Sequence, residues 1–261
     1  MIDFHTHIFP EKIAERTITY LSNVCNMDPY TNGMKQGLLQ SADEAGIDIC
    51  VLLPVATTPS QFESINRFAL QFQEGRLISF GAIHPENDHL KDKIRWMKEQ
   101  GFKGIKLHSD YQGQYFTDIK CKRLLSYASE YDLAVVVHAG LDPFSPKDIH
   151  CTPKHIAEVI DEVQPTRLIL AHMGGNTMYD DVDRYLVGKH VYFDTSYVLD
   201  KMPQETFLHL VRTHGAERIL FGSDSPWGGQ KEFVTCLKNI PLTEDERKLI
   251  SEENARKILG I

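Results

Sequence analysis

Short apolar runs rich in β-branched residues alternate with amphipathic stretches from one end of the chain to the other. The runs are IDFHTH (2–7), DICVLLPVA (48–56), LISFGAIHP (77–85), FKGIKLHS (102–109), LAVVVHAG (133–140), RLILAHMGG (167–175), VYFDTS (191–196) and RILFGSD (218–224). Such near-continuous hydrophobicity is what a parallel sheet buried on both faces requires. The segments between them carry helix signals. Ser60 and Glu63 predict a capping box ahead of Phe62, Ile65, Ala69 and Phe72, with Gly75 as the stop. Leu90, Ile94 and Met97 stripe a charged helix before Gly101, and Thr152 with Pro153 opens another, striped by Ile156, Val159, Ile160 and Val163. Pro203 opens a further helix ending near Gly215. Alternation of this kind implies right-handed crossovers onto a parallel sheet, and eight units favour a closed (β/α)8 barrel.

The length of 261 residues agrees with that architecture, since one such barrel takes about 250. One domain over 1–261 is expected. Residues 8–40 would form a small helix and a mobile loop over the barrel mouth. Residues 243–261 would form terminal helices, with Thr243 and Glu246 as a second capping box.

Composition narrows the function classes. Hydrophobic residues make up 42% and charged residues 25%, as in ordinary globular proteins. The net charge is −8 with no basic run, which argues against nucleic acid as a partner. No apolar run approaches the roughly 18 residues of a membrane span. A strand is expected to begin within two residues of Met1, so no charged leader or apolar signal segment is expected. Cys25, Cys50, Cys121, Cys151 and Cys236 are scattered and odd in number, so unreactive semi-buried thiols in a reducing cytoplasm are expected.

The candidate chemistry lies at strand ends. His5 and His7 end the first run, His138 the fifth, His172 the sixth and Asp224 the eighth. Active sites of such barrels are built at the C-terminal ends of the strands. Residues i and i+2 of a strand share a face, so His5 and His7 can both aim inward. An isolated His-x-His is weak evidence, because a buried histidine is usually only hydrogen-bonded. Five metal-competent groups at four strand ends are a stronger signal. A buried Asp in ILFGSD is also costly unless paired or metal-bound. Imidazoles plus a carboxylate suit zinc first, with manganese, iron or nickel as alternatives. Lys106 and His108 share a face of the fourth strand, and Trp227 follows Asp224. These three are the candidate substrate contacts. Asp194, ending the seventh run, is a candidate hydrogen-bond partner of a ligand histidine. His89, His155, His209 and His214 fall in predicted helices and are expected at the surface.

The ordered set IDFHTH, VVVHAG, LILAHMGG and ILFGSDSPW, with the closing NARKILGI, resembles the amidohydrolase superfamily. It is most similar to the amidohydrolase-related branch that also holds aminocarboxymuconate-semialdehyde decarboxylase and related aromatic-acid decarboxylases. The resemblance implies one divalent metal on His5, His7, His138 and Asp224. It makes Asp224 also the acceptor of a water proton, and has His172 face that water. A carboxylated Lys106 holding a second metal is the alternative in other members, and a homodimer is common in the branch. Two reactions on a small-molecule substrate follow. The first expectation is metal-assisted hydrolysis of an amide, lactone or related bond. The alternative is non-oxidative decarboxylation of an aromatic or enol acid. No arginine ends a strand to receive a substrate carboxylate, which favours hydrolysis at this stage.

Overall fold

The computed structural model describes residues 1–261, and each of the eight apolar runs contains a strand. In chain order the elements begin β1 (Ile2–Thr6), α1 (Glu11–Cys25), α2 (Lys35–Ala45), β2 (Ile49–Leu52), α3 (Phe62–Ala69), β3 (Gln73–Glu74), β4 (Leu77–Ser79) and β5 (Gly81–Ala82). They continue with α4 (Leu90–Glu99), β6 (Gly104–Leu107), α5 (Ser109–Gln112), α6 (Ile119–Glu130), β7 (Ala134–Val137), α7 (Pro153–Val163) and β8 (Leu168–Leu170). The last are α8 (Tyr179–Tyr185), β9 (Tyr192–Asp194), α9 (Gln204–His214), β10 (Ile219–Leu220), α10 (Gln230–Asn239), α11 (Glu244–Lys248) and α12 (Asn254–Leu259). No helix is long and apolar enough to cross a membrane.

The chain divides into two compact units. One comprises Met1–Leu52, Glu74–Ile78 and Asp194–Ile261, the other Leu53–Gln73 and Ser79–Phe193. In the first, β1 runs parallel to β2, with Ile2 opposite Ile49 and Thr6 opposite Leu52. The other edge of β1 meets the segment after β10. Phe4 N–H donates to the Phe221 carbonyl (2.8 Å), Asp224 N–H to that of His5 (2.8 Å) and His7 N–H to that of Ser225 (2.7 Å). These bonds bring the ends of two strands that lie far apart in sequence to one level. Asn254, opening α12, donates to the carbonyls of Ala216 (2.8 Å) and Ile219 (2.7 Å) and so ties the C-terminal helix to the start of β10.

In the second unit β5, β6, β7, β8 and β9 lie side by side and parallel. Leu107 is level with Val137 and Val137 with Leu170, so His108, His138 and His172 leave the sheet at the same end. Every residue of β6, β7 and β8 is buried, as expected of strands covered on both faces.

Several expectations need correction. The capping box at α3 is made by Thr58 and Gln61, not Ser60 and Glu63. Pro59 takes the first helical position, where its missing N–H costs nothing, and this sets the cap two residues earlier. Gly75 does not stop that helix, which ends at Ala69. It turns, at φ +75°, between β3 and β4, where a tight hairpin demands a positive φ. The third run divides at Phe80 into β4 and β5. The segment after β1 holds a 15-residue helix rather than a small one. His214 is fully buried at the end of α9, and His89 precedes α4 in a left-handed conformation instead of lying within it. The caps at Thr152 and at Thr243 with Glu246 form as expected. Cys25, Cys50, Cys121 and Cys151 are buried free thiols, and burial pushes the Cys121 thiol up to about 12.

Candidate functional site

His5, His7 and Asp224 come together in the first unit, their donor atoms all within 4.8 Å of one another. The pairing of β1 with residues 221–225 explains the meeting, and glycine permits it. A Cβ on Gly222 would stand 2.8 Å from the His5 Cβ. Asp224 sits at φ +69°, a left-handed turn that carries its carboxylate back toward β1. Its Oδ1 lies 3.1 Å from His7 Nε2 and 3.4 Å from His5 Nε2.

The His5 ring is oriented from behind. Its Nδ1 donates to Asp194 Oδ2 at 2.8 Å, and both side chains are buried. An ionised carboxylate only accepts, so the neutral ring carries its proton on Nδ1 and leaves a lone pair on Nε2. That lone pair faces the Asp224 oxygen. Two electron-rich atoms 3.4 Å apart in a buried place attract a cation, so the arrangement fits a divalent metal. Asp194 is itself held by the Ser196 amide (3.0 Å) and hydroxyl. Asp194, expected beside one of the strand-end histidines, thus lies at hydrogen-bond distance from His5.

His138 lies in the second unit with a different set. Its Nδ1 and His172 Nε2 are 2.9 Å apart. Its ring stacks on that of His108 at 4.2 Å, and Tyr111 covers the far face of His108 at 3.7 Å. Asp142 closes the group, with Oδ2 3.3 Å from His108 Nε2 and 3.6 Å from His138 Nε2. Burial by itself pushes the Asp142 carboxyl up, but the hydrogen bond and charge of His108 and the Phe144 amide hold it below its usual range. Burial likewise lowers His108, against the pull of Asp142. The pair is therefore a neutral imidazole beside an ionised carboxylate.

The other expected contacts are placed as follows. Lys106 is buried near the end of β6 (1% exposed). His108 is occupied by Asp142 and Tyr111. Trp227 is half-buried in the turn after Asp224, its amide donating to the Asp224 carbonyl at 2.8 Å. His84, also at a strand end, is spent on the Gln112 carbonyl (3.0 Å) and the Glu86 amide (3.1 Å).

Three carboxylates escaped sequence reasoning. Asp142 stands four residues past His138 in a loop. Asp110 is buried between Ser145 and His150, whose Nδ1 is 3.0 Å from its Oδ1. Asp3 is fully buried, accepting from Ser223 N–H (2.9 Å), Ser223 Oγ (2.6 Å) and Gln230 Nε2 (2.8 Å), and burial raises its carboxyl to about 6. Only Asp3 left a signal, since it shares the i, i+2 register of His5 and His7.

No curated protein matches the chain by sequence. Solved structures match across nearly all of it. A 2,6-dihydroxybenzoate decarboxylase from Rhizobium is 19% identical with a TM-score of 0.71, covering 99% of this chain and 98% of its own. A 5-carboxyvanillate decarboxylase from Novosphingobium aromaticivorans, crystallised with manganese and 4-hydroxy-3-methoxy-5-nitrobenzoic acid, is 16% identical with a TM-score of 0.75, covering 100% and 96%. An uncharacterised TIM-barrel protein from Bordetella bronchiseptica is 15% identical with a TM-score of 0.77, covering 100% and 98%. The chain shares their α/β-barrel fold. The amidohydrolase family model matches residues 2–261, and the chain belongs to the amidohydrolase family of enzymes.

Proposed function

We propose that this protein is a divalent-metal-dependent decarboxylase of hydroxylated aromatic acids, acting as one domain over its whole length. The observation that carries this is the His5–His7–Asp224 cluster, oriented by Asp194, in a chain whose whole length aligns with aromatic-acid decarboxylases. Those names reverse the order of the two reactions expected from the sequence.

His5, His7 and Asp224 would hold the cation, and the family resemblance adds His138. The manganese in the Novosphingobium structure makes that ion as strong a candidate as zinc. When bound, the cation supplies positive charge beside the substrate's oxygens. The chain's own residues do the rest. Lys106 offers the buried positive charge that no strand-end arginine provides, and so would receive the carboxylate. As the bond from ring carbon to carboxylate breaks, carbon dioxide leaves and the same carbon takes up one proton. Asp224 is the group assigned to hold and deliver that proton, and His172 orients His138 from its Nδ1 side.

The second reading, hydrolysis of an amide or lactone, is favoured by the absence of a strand-end arginine. One assay separates the two. The chain is stripped of metal, reloaded with manganese or zinc, and offered dihydroxybenzoates, carboxyvanillate, lactones and amides. Release of carbon dioxide from a hydroxybenzoate is expected. Acid release from a lactone or amide with no carbon dioxide from any acid overturns the proposal in favour of hydrolysis.

The role of Asp194 is checked without a substrate. Asp194→Asn removes the charge that orients His5, and outer partners of this kind are worth about 10- to 100-fold in metal affinity. Titration of the metal-free variant with manganese is expected to show a loss of that size. Unchanged affinity would remove Asp194 from the site.

A further inference from the structure

We propose that Phe144 is a specificity-determining residue that packs against the ring of an aromatic acid substrate. The inference rests on the function proposed above and names the side chain that meets the ring, one that neither the motifs nor the family resemblance singled out.

The first argument is placement. Phe144 lies in the loop between β7 and α7, at the end of the sheet where His108, His138 and His172 emerge. Its ring meets that of Tyr111 edge to face at 5.0 Å, and Tyr111 stacks on His108 at 3.7 Å. An unbroken aromatic surface thus runs from the end of β6 out to Phe144. Lys106, proposed above to receive the substrate's carboxylate, belongs to the same end of β6. Phe144 itself stays 39% exposed, the one large apolar side chain of residues 141–150 to do so. A ring left partly in water forgoes the stabilisation that burial gives, and a ligand ring seated on it recovers that.

The second argument is rigidity. The Phe144 amide donates to Asp142 Oδ1 at 2.7 Å. One residue on, the Ser145 hydroxyl donates to Asp110, and His150 Nδ1 lies 3.0 Å from the same Asp110 oxygen. Asp110 is buried, and a buried carboxylate is costly unless hydrogen-bonded. Both of its side-chain hydrogen bonds go to this loop, so a buried charge is committed to holding residues 145 and 150 in place. The Tyr115 hydroxyl adds a bond to Asp148 at 2.6 Å, and the Phe116 amide one to the His150 carbonyl at 3.0 Å. Pro143 and Pro146 flank the ring, each with its φ fixed. A loop pinned at so many points presents Phe144 in one place. An aromatic side chain already fixed loses little freedom when a ligand arrives, which is how a preorganised contact gains affinity.

The test measures, by calorimetry, the binding of dihydroxybenzoates and 5-carboxyvanillate to the manganese-loaded full chain and its Phe144→Ala and Phe144→Tyr variants. Far-UV circular dichroism confirms the fold of each, and manganese affinity is read on the same samples. Phe144→Ala is expected to weaken binding of the tightest acid about tenfold with manganese affinity unchanged, and Phe144→Tyr, which keeps the ring, to stay within about threefold of wild type. An alanine variant that binds the acid as wild type does overturns this inference alone. If that variant instead loses self-association on size exclusion, Phe144 is a contact between copies and the assignment falls. A wild type that binds none of these acids overturns the proposed function and this inference with it. Should the alanine variant fail to fold, crystals of the wild type with manganese and the tightest acid decide. A ring carbon of the acid is expected within about 4.5 Å of the Phe144 ring, and a gap of about 6 Å or more sinks the assignment.

Discussion

Asp224→Asn is expected to lower turnover by about 10²- to 10⁴-fold, the range in which a positioned acid–base group contributes, while leaving much of the bound metal in place. The amide keeps an oxygen toward His5 and His7, whose Nε2 atoms lie 3.4 Å and 3.1 Å from the present carboxylate. It cannot carry the proton that the ring carbon must acquire as carbon dioxide leaves. Two measurements check this on the same sample: steady-state turnover with the best hydroxybenzoate, and metal content by atomic emission. Turnover within about threefold of wild type would remove Asp224 from proton transfer. Loss of metal in proportion to turnover would make it a ligand and nothing more.

The second large effect is structural. Gly140 lies at φ +87°, and a Cβ there would stand 2.2 Å from the Asn176 nitrogen and 2.5 Å from the Gly175 carbonyl carbon. Both obstacles are backbone, so no side chain can swing aside. Gly140→Ala meets an unfavourable φ and an overfilled contact, each costing about 1–3 kcal/mol. The sum is about 4 kcal/mol, or roughly 10 °C in melting temperature for a chain of this size. Because Gly140 follows His138 by two residues, any chain that survives should also lose manganese affinity. A melting temperature within about 2 °C of wild type would show that the loop adapts without strain.

The parts of the fold that could be read in advance are those governed by local rules. The eight strand runs were visible because a strand buried on both faces has almost no polar positions. Thr152 with Pro153, and Thr243 with Glu246, cap helices through atoms three residues apart, so their roles are written within a single turn. The box at Ser60 failed over the same distance, because Pro59 moved the helix start by two residues. His5 and His7 were found by strand alternation, and Asp224 by its cost in an apolar run.

Asp142 and Asp194 show why the remainder had to await the folded chain. Asp194 acts on His5 across 189 positions, and no spacing rule reaches that far. It was nonetheless suspected, because it ends a strand where ligands gather. Asp142 had no such cue. Its loop is pinned by Asn176, and its carboxylate is aimed by the Phe144 amide two residues on and by the His108 imidazole, which only the parallel register of β6 and β7 brings alongside.

From the order of residues alone came the eight runs that hold strands, the strand ends where chemistry was expected, and His5, His7, His138, His172 and Asp224 at those ends, because periodicity and burial act between near neighbours. Tertiary structure alone decided which of those side chains meet. His5, His7 and Asp224 form one group, and His108, His138, His172 and Asp142 another, because strand pairing and register set the level of residues that the chain holds tens to hundreds of positions apart.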